Sequence, residues 1–133
     1  MMLLSAIMPV AFMASGSAGV IKPDCTAPVT QTDMTICAVQ DFNEADRLLN
    51  AQWKITAAHM KAIDEMAKED DGDPTYFQAL LNAQRAWLQY RDSHCMTVGF
   101  YARGGSMQPM LVALCRAELT QERTKQIKAL TEQ

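Results

Sequence analysis

The chain has 133 residues, 49% of them apolar, and a formal net charge of −3, which fits one globular domain. Twelve Lys and Arg face fifteen Asp and Glu without a basic cluster, so nothing favours a nucleic-acid partner. The first apolar stretch is short and interrupted by Pro9, which argues against a membrane-spanning helix there.

Residues 1–18, "MMLLSAIMPVAFMASGSA", carry no charge and end in small residues, with Gly16 and Ala18 placed for a cut before Gly19. They read as a signal peptide, although no basic residue precedes Lys22. Cys25 follows Pro23 and Asp24 rather than small residues, so a lipid anchor is not expected. The mature chain is expected over 19–133, exported and soluble in the periplasm or outside the cell. "GVIKPDCTAPVTQ" then reads as an irregular arm with two prolines.

Helical periodicity begins near Thr32. Met34, Cys37, Ala38, Ala45, Leu48, Leu49, Gln52, Ile55, Thr56, His59, Ile63 and Met66 fall along one stripe. A helix to about residue 69 is predicted, with Phe42, Leu49, Trp53 and Met60 as a second apolar shoulder and hence a second packing partner. "KEDDGDP", 68 to 74, ends it. Its aspartates lack the register of a calcium loop and are read as a solvated turn, with Asp73 capping the next helix and Pro74 in its first position.

Helix two is predicted from about Pro74 to Ala102. Within "AQRAWLQYRDSHC", 83 to 95, it sets Gln84, Trp87, Leu88, Arg91 and Cys95 on the face a helix buries, beside Phe77, Leu80 and Leu81. "RGGS", 103 to 106, breaks it. Helix three starts near Ser106 or Met107, Pro109 being tolerated in its first turn. Val112, Cys115, Leu119, Ile127 and Leu130 form its core face, with Arg123 among them. No strand-like alternation appears. The expected fold is all-α, three helices in up-down-up order with a long first helix.

Four cysteines in an exported chain point to two disulfides, and without a CxxC pair or a neighbouring histidine pair they do not suggest zinc. Cys95 lies about nine residues before the centre of "RGGS" and Cys115 about eleven after it, nearly level in an antiparallel hairpin. Cys37 and Cys95 would be about 16 Å out of level. The predicted bonds are therefore Cys95–Cys115 and Cys25–Cys37.

The polar residues on these stripes are assigned to a structural network of Asp46, Asn50, Gln52, His59, Gln84, Arg91 and Arg123. His59 and Gln84 fall at similar heights and are expected to pair. Arg91 is expected to meet Asp46, Asn50 or Gln52, with helix three an alternative partner for Asp46 and Asn50. Ser93, His94 and Cys95 are adjacent, but successive helical residues point about 100° apart, so no nucleophile–base pair is expected. No catalytic residue, metal or cofactor is predicted. The exposed aromatic, arginine and loop residues Phe100, Tyr101, Arg103, Gly104, Gly105 and Ser106 form the candidate partner-binding tip. The competing reading has Gly104 ending helix two, Ser106 capping helix three and the aromatics covering the core end. The acidic "EDDGD" turn is a second candidate surface.

"DC" at 24–25, "QTDMTIC" at 31–37, "ADRLLN" at 45–50, "AQRAWLQYRDSHC" at 83–95, "GGS" at 104–106, Cys115 and "LTQER" at 119–123 together resemble the LprI-like domain of exported bacterial proteins. Trp53 stands where that pattern has Tyr. The family takes its name from a lysozyme inhibitor, so the resemblance implies a non-enzymatic protein that blocks a lysozyme-type cell-wall hydrolase. The alternative is a periplasmic structural or stress-related module with another protein partner.

Overall fold

The computed structural model describes residues 22–67 and 70–133; the leader expected over 1–18 and its cut lie outside them. Three α-helices follow one another, α1 (Gln31–Ala67), α2 (Tyr76–Gly99) and α3 (Gln108–Ala129), with a 3₁₀ turn at Phe100–Ala102 closing α2. Among the described residues there is no strand, and the order is up-down-up, as the periodicity predicts. No helix among them is long and apolar enough to cross a membrane.

α1 runs for 37 residues because nothing within it breaks a helix. It starts in a capping box: Asp33 N donates to Thr30 Oγ1 at 3.0 Å, and Thr30 N donates to Asp33 Oδ2 at 3.2 Å. α2 does not begin as expected. Thr75, not Asp73, is its N-cap, its hydroxyl accepting from Gln78 N at 3.3 Å. Asp64 of α1 supplies the rest, taking Tyr76 N at 2.7 Å and Phe77 N at 3.1 Å on its two oxygens. Asp73 is held in the turn instead, its amide donating to Asp71 Oδ1, and the residue before a proline is kept out of helical geometry. α3 has Pro109 in its first turn but is not capped by Ser106; Met107 precedes it without a side-chain cap bond.

α1 packs chiefly along α3, parallel to it. Gln31 Nε2 donates to Met110 Sδ at 3.4 Å near one end, and Thr56 Oγ1 donates to the Ile127 carbonyl at 3.0 Å near the other. Buried Ala38, Ala45, Ala113 and Ala117 let these helices close on one another. Larger side chains fill the other half, where Leu49, Met60, Leu80 and Ile127 are joined by Trp53, Ile63, Phe77, Trp87 and Leu130. α2 lies antiparallel to α3 and approaches so closely at Gly99 that a Cβ there would collide with Val112.

This packing corrects the predicted α1 stripe. Leu48, Ile55 and Met66 are exposed, and so is Leu88 of α2. The alanines at 38 and 45 draw α3 onto the arc through Leu49, Thr56 and Met60, about 100° around the helix from Leu48 and Ile55. Both disulfides form as predicted, Cys25–Cys37 and Cys95–Cys115, each with Cα atoms 5.5 Å apart.

Candidate partner-binding site

Two polar residues of "AQRAWLQYRDSHC", Gln84 and Arg91, are buried, and each bonds a residue of α3. Arg91 is buried at 7% exposure. Its Nε donates to Asp92 Oδ1 at 3.0 Å and its NH1 to Thr120 Oγ1 at 3.3 Å, with Asp46 Oδ1 3.6 Å from NH1. The guanidinium lies 5.2 Å from both the Phe42 and Trp87 ring centres, where the π-faces favour a cation. Asn50 Nδ2 steadies Asp46 from the next turn at 3.1 Å. Asp92 also faces Arg116, whose Nε stands 3.3 Å away but lacks hydrogen-bonding geometry.

Gln84 does not pair with His59. Its Oε1 accepts from Arg123 Nε at 2.9 Å, and the α1 residues beside it are Leu49 and Trp53, about 100° around that helix from His59. His59 stands half-buried on α1. Gln52 likewise misses Arg91 and donates to Thr56 Oγ1 one turn on. Burial lowers the Arg123 pKa, yet a guanidinium stays charged, and Trp87 lies beneath it. Sequence reasoning missed Thr120 and Asp92. Thr120 sits within the α3 stripe it defined, but a threonine gives no polar warning there.

Of the consecutive trio, Cys95 is fully buried in its disulfide, while His94 stacks on Tyr90 at 5.3 Å on the outer face of α2. The sulfur has no thiolate to offer. Among the described residues no three His, Cys, Asp or Glu side chains gather to hold a metal ion. The acidic turn forms an open pocket of about 280 Å³ lined by Asp64, Asp71, Asp73 and Tyr76, and Gly72 turns there with φ +86°.

The tip is built from its own hydrogen bonds. Arg103 N donates to the Phe100 carbonyl at 3.1 Å, Gly105 N to Ala102 O at 2.9 Å, and Gly104 N to Gln108 Oε1 at 2.8 Å. Gly104 has φ +78°, a conformation that disfavours any side chain. Gly104 follows the 3₁₀ turn, so the chain reverses there. The aromatics do not cover the core end: Tyr101 is 90% exposed and Phe100 43%, and Arg103 stacks over the Phe100 ring at 4.6 Å. Just behind them a groove of about 430 Å³ runs between Val39, Phe42, Met96, Pro109 and Val112, with Arg116 on its wall. The Cys95–Cys115 bond ties the two helices that carry the tip.

The family model for lysozyme inhibitor LprI matches residues 24–127. An uncharacterized protein of Rhizobium meliloti (strain 1021) is 48% identical over 112 residues, covering 84% of this chain and 81% of that protein. No solved structure matches the chain.

Proposed function

The chain belongs to the lysozyme inhibitor LprI family, and from that membership we propose that it is an exported protein which binds a lysozyme-type cell-wall hydrolase and blocks it sterically. In this reading residues 1–18 are a leader and the mature domain starts near Gly19. The observation that carries the site is the tip, where Phe100, Tyr101 and Arg103 stand in solvent on a loop whose amides at Arg103, Gly104 and Gly105 are already bonded. Such a loop loses little conformational freedom on binding, and Tyr and Arg are frequent anchors of protein interfaces.

The target's chemistry suits that tip. A glycoside hydrolase cleft generally carries a pair of carboxyl groups, and Arg103 is a cation free to approach them. Inhibition of this kind needs no reaction: the tip fills the cleft and excludes the glycan.

The test is to titrate the processed protein into c-type, g-type and i-type lysozymes acting on cell walls and to follow turbidity. Inhibition at micromolar concentration supports the reading. Activity unchanged for all three classes overturns it. Tyr101→Ala with Arg103→Ala should weaken inhibition about thirtyfold or more, as for a hot-spot pair, with the melting temperature unchanged. If that variant inhibits fully, the tip is not the site.

A further inference from the structure

The face of α1 that turns from both neighbours carries Leu48, Ala51, Ile55, Ala58, Ala62 and Met66, all exposed, Ile55 by 60% and Met66 by 75%. These positions lie within about 80° of arc and run for about 27 Å along the helix. Their mostly alternating three-four spacing is that of the seam between paired helices. Monomeric proteins seldom leave so continuous an apolar strip in water.

We propose that a second copy of this chain covers the strip, the two α1 helices lying antiparallel about a two-fold axis between residues 56 and 57. Side-chain size fits that arrangement. Ile55 of one copy falls level with Ala58 of the other and Ala51 with Ala62, so an alanine stands at each of these levels and the helices can approach closely, while Leu48 meets the Glu65–Met66 step at either end. Charge fits it too. Arg47 and Glu65 are both exposed on the same edge of the strip, at equal distances from residue 56. An antiparallel partner therefore sets Arg47 against Glu65 at both ends, while Arg47 keeps its own Glu44 at 2.7 Å. Lys61, which would otherwise face Lys54 of the other copy, is turned over its own Phe77 ring at 4.4 Å.

The area is sufficient for a weak dimer. Six exposed residues run along about 27 Å of helix, and the stems of Arg47, Lys54, Gln52 and His59 widen the patch toward the about 800 Å² per partner of a standard interface. A symmetric pairing of one patch with itself closes without further growth. The tip lies beside the first turns of α1, clear of the strip, so the dimer carries two free tips pointing to opposite ends. The pairing does not rest on the hydrolase reading, and its test uses no hydrolase.

Sedimentation equilibrium of the processed chain from about 1 to 300 µM at pH 7 should show a reversible monomer–dimer equilibrium in the micromolar range expected for so small an interface. Ile55→Glu should weaken it at least about tenfold, since each dimer then buries two unpaired carboxylates. Arg47→Glu and Glu65→Arg should each weaken it, and the two together should recover it. A wild-type chain that stays monomeric at the top of that range overturns the proposal. So does a dimer indifferent to Ile55→Glu, or one that the charge exchange does not restore.

Discussion

Replacing Arg91 by alanine should destabilise the fold by about 3 kcal/mol, a sum that three contributions build. Removing one partner from a fully buried ion pair costs about 3–5 kcal/mol, but Asp46 and Asp92 keep side-chain exposures of 42% and 49%. Water can take up both carboxylates, so the charge contribution falls to about 1 kcal/mol, as for exposed pairs. Thr120, fully buried, loses a donor to its hydroxyl, worth about 1 kcal/mol. The guanidinium's stacking between Phe42 and Trp87 contributes about 1 kcal/mol more. At about 4 °C per kcal/mol for a domain this size, Tm should fall by about 12 °C. Thermal melts by circular dichroism, with urea titration as the second measure, read this directly. Arg91→Met keeps the stem and most of the volume and should recover part of the loss. An Arg91→Ala protein that melts within about 2 °C of the parent while failing to inhibit would refute the reasoning, making Arg91 a contact residue rather than a scaffold.

Asp64→Ala removes the acceptor of two amides at the start of α2 and should cost about 1–2 kcal/mol in urea unfolding; Asp64→Asn, which keeps an acceptor oxygen, should cost less. Gly99→Ala drives a methyl into Val112 and should cost about 1–3 kcal/mol by overpacking, seen as a lower urea midpoint at unchanged slope. Replacing Cys95 and Cys115 together by alanine should cost about 3 kcal/mol in the chain-entropy model for a closed loop of 20 residues, and should weaken inhibition further by loosening the tip. The Asp24 carboxylate accepts first from the hydroxyl and then from the amide of Thr26, which hold its pKa below the ordinary aspartate value. A depressed carboxylate pKa gives stability above the unfolded value that is lost as pH falls through the folded one. The Thr26 amide resonance should therefore titrate with a midpoint below that of an unperturbed aspartate.

The helices, their order and both disulfides could be read from the sequence because each rests on a local signal: periodicity without Gly or Pro in α1, "RGGS" after α2, and the level of Cys95 with Cys115. Side-chain partners were less legible. Gln84 meets Arg123 and not His59, because height along a helix is set by counting residues whereas azimuth depends on which neighbour comes closest. The same blind spot put Leu48 and Ile55 in the core. Both shoulders of α1 are apolar, and only the alanines at 38 and 45 hint at which one α3 takes. At the tip, the positive φ of Gly104 suits "GGS", but the 90% exposure of Tyr101 follows from the 3₁₀ turn at Phe100–Ala102, which no residue preference in that stretch announces.

The close packing of α1 on α3 has a consequence for the order of events as the chain is made. α1 emerges first and α3 last, with all of α2 between them. Until residues 113–127 arrive, the alanine arc of α1 and the hydroxyl of Thr56 have nothing to close against. Contacts so far apart in sequence slow folding by postponing the gain until the loop is shut. A chain interrupted before Ile127 would thus hold its helices loosely, and any passage that requires an unfolded polypeptide would find it still pliable until nearly its final turn.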